Sequence, residues 1–460
     1  MKKYENYRKI GLPWLEYIPS HWESLRNKNI FTEQKEVVGE NFTNYTLLSL
    51  TLNGIVPRNM DAGGKFPESF DKYKIVKKGN IAFCLFDIDE TPRTVGVSEC
   101  DGMLTNAYTI MSIRKINGRY IYYYYLALDN KKMLKPLYTG LRKTIGIDTF
   151  QSMKIPVPPR AEQDQIVRFL DWKVSEINKL IGIKLKRILN IRDYEKQVIN
   201  EKVLNGLHSS DLKYSGNKWI GCIPDNWKII PLGKFCSFQN GISESGDFFT
   251  SGTPFVGYGD VYRHIELPIK VNGKAQANKK QQELFSVQKD DIFFTRTSEN
   301  LEEIGMAAVC SHTIDKAVFS GFLIRCRQKE KYVIANYMKY YLQIPAVRNH
   351  FSSNVNIVIR ASLSQNLLKT LPIVIPPENE QREIASYLGL KHTEFEKVIE
   401  ITTKEIEELN ELKNTLISDV VTGKIDVRNI EIPAYEHVED VVGDGEENAE
   451  ELADAEETEA

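Results

Sequence analysis

A chain of 460 residues with 42% apolar and 27% charged side chains can bury a sizeable core, which excludes global disorder. No run of about 18 apolar residues occurs and the start, Met1-Lys-Lys-Tyr-Glu-Asn-Tyr-Arg8, lacks an apolar stretch, so the expectation is a cytoplasmic protein with no membrane span. The net charge of −2 conceals an asymmetry: residues 431–460 hold 13 acidic side chains and no Lys or Arg, leaving +11 on the first 430 residues and pointing to a polyanion partner, nucleic acid first.

In chain order, the first predicted unit opens on Trp14-Leu-Glu-Tyr-Ile-Pro-Ser-His-Trp22. Strands are expected at Tyr73-Lys-Ile-Val, Asn80-Ile-Ala-Phe-Cys-Leu-Phe and Ala107-Tyr-Thr-Ile-Met-Ser-Ile, where β-branched and aromatic residues lie between turn residues. A Tyr-rich helix follows from Tyr120 to Leu128, then a short strand, Lys154-Ile-Pro-Val, that ends at Pro158-Pro159. The prolines stop the strand and set the geometry of a helix start, and Glu162 suits the positive end of that helix. From Glu162 to Leu204 apolar residues fall at 166, 170, 174, 177, 181, 185, 188, 194 and 198, the spacing of a coiled-coil seam interrupted only by Gly182. At 1.5 Å per residue such a helix is about 65 Å long and needs a partner to bury its stripe.

The order then restarts. Trp219-Ile-Gly-Cys-Ile-Pro-Asp-Asn-Trp227 repeats the opening at an offset of 205, with strands at Asp291-Ile-Phe-Phe-Thr and Phe322-Leu-Ile-Arg-Cys and a helix from Tyr337 to Leu342. Pro376-Pro-Glu-Asn-Glu-Gln-Arg-Glu-Ile-Ala-Ser-Tyr-Leu388 repeats Pro158-Pro-Arg-Ala-Glu-Gln-Asp-Gln-Ile-Val-Arg-Phe-Leu170 at an offset of 218. A second long helix runs from Glu380 to Val421, and its duplicate is the obvious partner. An antiparallel pair places one globular region at each end, whereas a parallel pair forces both to one end, so the antiparallel arrangement is preferred. The expected fold class is α+β: two mixed α/β regions joined by two long antiparallel coiled-coil helices in a pseudo-two-fold dumbbell. The boundaries expected are 1–158, 159–205, 206–376 and 377–427, with 428–460 an acidic, disordered tail.

Doubled W-x-x-x-I-P-x-x-W, a strand closing on Pro-Pro, Glu-Gln at each helix start and Val421-Thr-Gly-Lys-Ile-Asp-Val427 at the second helix end together resemble the specificity subunit of type I restriction–modification systems over residues 4–426. The resemblance implies two target recognition domains, each reading half of a split double-stranded DNA sequence. It implies that the helices measure the gap and dock two methyltransferase subunits. It implies too that restriction subunits that translocate DNA can join the same core. On this reading the chain is not an enzyme: S-adenosylmethionine, ATP and Mg belong to the partner subunits, which carry adenine-N6 methylation and ATP-dependent cleavage. The residues agree, since no N-P-P-[YF], D-P-P-[YF] or G-x-x-x-x-G-K-[ST] segment occurs and the seven His residues are scattered. Six cysteines 14 or more residues apart support neither zinc nor a disulfide framework, and no metal is expected.

Arg142 and Arg360 stand at the same place, 16 residues before each Pro-Pro pair, and suit phosphate contact in both halves; the alternative is a structural ion pair. Arg296 and its rough counterpart Arg93 are loop arginines suited to guanine in the major groove, or else ordinary surface residues. Lys77, Lys78, Lys131, Lys132, Lys135 and Lys143 are phosphate candidates. The tyrosine run 122–125 reads as core rather than a base-stacking platform, and Trp14, Trp22, Trp219 and Trp227 as fold anchors. Glu162, Gln163, Glu380 and Gln381 read as helix-start caps or contacts at a subunit interface. The competing function is a coiled-coil scaffold that bridges two proteins without touching DNA.

Overall fold

The computed structural model describes residues 2–52, 54–58, 69–140, 143–208, 210–244, 246–298, 303–354 and 361–439. The chain divides into two compact units, one made of residues 1–186 with 402–460 and the other of residues 187–401. Each unit joins the globular region of one copy of the repeat to segments of both long helices, which run Arg160–Asn205 and Glu378–Val421.

The first unit is built on a four-stranded antiparallel sheet in the order Phe31–Gln34, Thr109–Ile113, Ile81–Phe83, Val95–Val97. In the second unit the order is Cys236–Asn240, Leu323–Gln328, Ile292–Thr295, Ala307–Val309, again antiparallel throughout. Alternation along a central strand sends its side chains into two separate cores. Ile81 and Phe83 join an inner core with the Tyr-rich helix Gly118–Asn130, while Ala82 joins an outer core with Leu48, Leu50, Val76 and Leu104. Ile292 and Phe294 join the inner core of the second unit with the helix Ala335–Tyr341, while Phe293 joins an outer core with Val256 and Phe319. Burial on both faces explains why these strands read as unbroken apolar runs.

The outer layers differ. The first unit carries the hairpin Leu48–Thr51 with Gly54–Pro57 and the pair Lys74–Val76 with Gly102–Leu104. In the second, a three-stranded sheet orders Gly273–Ala275, Thr253–Val256 and Val318–Phe319, the last two parallel, with short helices Tyr258–Tyr262 and Lys279–Leu284.

The segment before each Pro-Pro pairs with the strand after the second Trp of each opening motif: Lys154–Val157 with Glu23–Arg26, and Pro372–Ile375 with Lys228–Pro231. The long helices start directly after Pro159 and Pro377 and are followed by Gly206 and Gly423, whose φ values of 76° and 75° are left-handed conformations that glycine adopts without a Cβ penalty. Within the first unit, Asn178 meets Lys413 and Lys184 meets Glu405, so the helical segments run in opposite directions. In the second unit, Arg192 faces Glu396 and Glu195 faces His392, the same sense. Ile177 and Ile181 with Leu416, Ile417 and Val420 bury the stripe in the first unit, and Val198 and Ile199 with Ile384 and Leu388 bury it in the second.

The ends of the helices are exchanged relative to the repeat. Tyr120 Oη donates to the carbonyls of Pro156 and Val421 at 2.9 and 3.4 Å, so the end of the second helix completes the first unit. Tyr337 Oη donates to the carbonyls of Val374 and Val203 at 3.1 and 3.2 Å, the same arrangement with the end of the first helix.

Two expectations are corrected here. Residues 428–438, expected to be disordered, lie along the first helix: Gln165 donates to the Ile430 carbonyl at 2.8 Å, Asn178 donates to the Val438 carbonyl at 3.1 Å, and Ile430 and Ile432 pack on the core. The rest of the expected tail, 440–460, lies outside the described residues. Trp219 is no anchor: it is 40% exposed with the Lys218 ammonium over its ring, whereas Trp14 donates to Tyr124 Oη and Trp22 and Trp227 are fully buried. Among the described residues no helix is long and apolar enough to cross a membrane.

Candidate nucleic-acid interface

The repeated sequence motifs meet in a clasp. Glu162 is 6% exposed, and its Oε1 accepts hydrogen bonds from Trp22 Nε1 at 2.9 Å and Tyr4 Oη at 2.6 Å, while Oε2 faces His21 Nε2 at 2.8 Å. Three partners offset the cost of burying a carboxylate. Burial and the bond to Glu162 push the Tyr4 phenol well above its ordinary range, so it stays protonated and donating. The neighbour Gln163 accepts from Asn117 N at 2.8 Å and donates to the Pro158 carbonyl at 2.8 Å, locking the helix start to the cap of the Tyr-rich helix. In the second unit Glu380 accepts from Trp227 Nε1 at 2.8 Å and Asn226 Nδ2 at 3.2 Å. Gln381 accepts from Ile334 N at 2.9 Å and donates to the carbonyls of Pro376 and Tyr332. The side chains of Glu162, Gln163, Glu380 and Gln381 thus make hydrogen bonds inside their own unit, with Glu162, Gln163 and Gln381 buried and Glu380 half-buried.

The expected DNA-contacting cations fall into separate groups. Arg93 is corrected from loop finger to internal partner: its Nη1 lies 2.9 Å from Asn130 Oδ1 and 3.7 Å from Asp129 Oδ2. The Asp129 carboxylate, 2% exposed, also takes Lys132 Nζ at 2.7 Å and Thr94 N at 3.0 Å, so both Arg93 and Lys132 neutralise a buried charge. Lys143 and Lys135 bind acidic side chains beside them, Lys143 at 3.2 Å from Glu90 and Lys135 at 3.2 Å from Asp89. Burial raises the Asp89 carboxyl, but the bonds from Lys135 and Tyr138 and the charge of Lys143 outweigh it and hold it below the usual range. The bond to Glu90 in turn raises the Lys143 ammonium. Lys77 and Lys78 are exposed in a turn whose backbone is tied by Asn80 Oδ1 and Asp101 Oδ1. Arg142 and Arg360 lie outside the described residues.

Arg296, expected in a polar loop, occupies the one-residue break between the strands Ile292–Thr295 and Thr297–Ser298. Among the described residues its guanidinium makes one long contact, 3.5 Å to the Gly321 carbonyl, while its backbone is fixed by Phe322 and Leu363. Beside it Phe322 is 59% exposed, a flat apolar surface next to that strand break. Sequence reasoning also missed Lys274, Lys279 and Lys280, which are exposed and make no ion pair among the described residues. The signal was present: Asn278 and Gln281 form a capping box, which places Lys279 and Lys280 in the first helical turn, where the positive end of the helix disfavours cations. Two lysines held there against that preference fit an anionic partner.

The half-buried Arg327 and the buried Arg325 of the second unit are structural. Arg327 binds both oxygens of Asp291 at 2.6 Å, and burial pushes Arg325 down to about 10 while it donates to the Ser286 carbonyl at 2.6 Å. Burial likewise pushes the Cys84 thiol up to about 11 and Cys310 up to about 12, so neither forms a nucleophilic thiolate near neutral pH.

The family model described as type I restriction modification DNA specificity domain matches residues 65–190 and 224–411. A Methanocaldococcus jannaschii protein provisionally named type I restriction enzyme MjaX specificity subunit is 24% identical, with 93% of this chain and 98% of that protein covered. The type I restriction enzyme MjaVIII specificity subunit of the same organism is 24% identical over 61% of this chain and 64% of its own length. In fold, the chain is similar to one in a solved structure described as "Structural basis underlying complex assembly and conformational transition of the type I R-M system", with a TM-score of 0.60, 12% identity, and 89% of this chain and 99% of that one covered.

Proposed function

The chain belongs to the type I restriction–modification DNA specificity family, and from that membership we propose that each of its two units reads one half of a bipartite double-stranded DNA target. The observation that carries this reading is the pairing of a repeated framework with unlike outer layers. Both units keep one strand order and one Trp–Glu clasp, which suits a common docking task. Their outer layers differ, which suits two different half-sites.

On this reading the two long helices continue as an antiparallel coiled coil that sets the gap between half-sites and docks two adenine methyltransferase subunits, with restriction and translocase subunits added to that core. Lys77 and Lys78 in the first unit, and Lys274, Lys279 and Lys280 in the second, supply phosphate contacts, and Arg296 beside Phe322 reaches a base edge. Arg142 and Arg360 supply phosphate contacts common to both halves. The chain performs no chemical step in cytoplasmic DNA modification. S-adenosylmethionine, ATP and Mg act on the partner subunits.

Binding of the complex with its methyltransferase subunits to a target duplex, measured over a salt series, tests the reading. A specificity subunit loses affinity steeply as salt rises, because phosphate contacts release counterions. Salt-insensitive or absent binding leaves a protein-bridging scaffold instead.

A further inference from the structure

A cluster in the second unit stands apart from the nucleic-acid interface described above. Glu195 stands on the first long helix, and His392 and Glu396 stand one turn apart on the second. His392 Nδ1 is 2.7 Å from Glu195 Oε1, and one donor atom from each of the three residues lies within 4.8 Å of the others. The Glu195 side chain is only 14% exposed. Tyr194 and Phe395 close one side with an edge-to-face contact at 5.8 Å between ring centroids.

We propose that Glu195, His392 and Glu396 bind a divalent transition-metal cation of the zinc class, which clasps the two helical segments of the second unit. A His and a Glu four residues apart present their donors on one helix face. Zinc bonds to imidazole nitrogen and carboxylate oxygen of about 2.0–2.2 Å set tetrahedral ligands roughly 3.5 Å apart, so closing the site needs side-chain movement of about 1 Å. Three protein donors leave the fourth position to water. One imidazole with two carboxylates suits zinc, cobalt or nickel better than all-oxygen ions such as calcium.

The pairing of the helices does not itself demand these residues. The offset of 218 that relates Glu162 to Glu380 relates Glu195, His392 and Glu396 to Lys413, Val174 and Asn178 in the first unit. There the same place in the fold is filled by Val174 packed on the core and by Lys413 Nζ donating to Asn178 Oδ1 at 3.2 Å. Holding two carboxylates together with one largely out of water is costly unless a cation compensates. Arg192 lies 3.7 Å from Glu396 Oε1, longer than a close charged hydrogen bond, and it does not reach Glu195 within ion-pair distance.

The full-length chain, stripped with chelator, is titrated with Co²⁺ and then with Zn²⁺. The expected result is one equivalent of Co²⁺ with visible ligand-field absorption, displaced by Zn²⁺, and a Zn²⁺-dependent rise in the midpoint of thermal unfolding. Glu195→Gln, isosteric with the carboxylate, and His392→Gln, a neutral polar replacement of similar reach, are checked for folding by circular dichroism; each weakens Zn²⁺ binding by about tenfold or more. Absence of stoichiometric binding, or Zn²⁺ affinity unchanged in both variants, overturns the site.

Discussion

The two units share a sheet order, a Tyr-rich helix and a Trp–Glu clasp, yet the clasp is more heavily built in the first. Glu162 collects Tyr4, His21 and Trp22, while the half-buried Glu380 collects Asn226 and Trp227. Outside the clasp the divergence widens: one outer layer is a hairpin with a strand pair, the other a three-stranded sheet with two short helices. The repeat therefore preserves what holds the long helices to the sheet and releases what faces away from them. Divergence greatest in the outer layer is the expected outcome when two copies share a docking task and read different ligands.

The largest effect that sharpens this comparison comes from the clasp. Glu162→Ala strands buried Trp and Tyr donors and is expected to cost about 4 kcal/mol, against about 2 kcal/mol for Glu380→Ala, measured by urea denaturation of the full chain. Equal losses would erase the asymmetry between the units. Next comes the pair of arginines expected from sequence to be counterparts. Arg93→Ala leaves Asp129 underpaired and should cost about 3 kcal/mol of stability, whereas Arg296→Ala should leave the unfolding midpoint unchanged and relax base discrimination by about 1–3 kcal/mol at one position of one half-site. Competition binding with substituted duplexes separates the two.

Smaller still is the contribution of the exposed lysines of the second unit. Lys279→Glu with Lys280→Glu should weaken binding of all duplexes by about tenfold and reduce the salt slope by about 2, with base preference intact. A changed base preference would move those lysines from phosphate to sequence reading. The smallest effect is pH-dependent. Burial lowers the His350 imidazole in the second unit, and the residue 218 positions earlier is Lys132. A His held below its unfolded value binds fewer protons in the folded state, so stability is full above the ordinary His range and falls as pH drops through it. His350→Gln should flatten that decline between about pH 7 and 5 in urea midpoints.

Much of this was legible because it is local or repeated. The apolar spacing and the Pro-Pro pairs located both long helices to within two residues at each end, Glu162–Leu204 against Arg160–Asn205 and Glu380–Val421 against Glu378–Val421. The tyrosine run 122–125 reads as core because both copies carry it, and Tyr123, Tyr124 and Tyr125 are buried with Tyr122 half-buried. What escaped depends on partners far away in the chain. Arg93 looks like a free loop residue until Asp129 and Asn130 come to it from the Tyr-rich helix. Val203 and Val421 look like the ends of their own copies, and only the exchange of helix ends shows each against the tyrosine of the other. Composition alone marked 428–438 as tail, although Ile430 and Ile432 supply apolar side chains that find the core.

The central claim is that one chain with two unlike outer layers specifies one split DNA sequence. Single-molecule sequencing of methylated bases in the host, with and without this gene, tests it most directly. Loss of a single bipartite methyladenine motif, both half-sites together, is the predicted result. A methylome that keeps every split motif when the gene is removed would contradict the account.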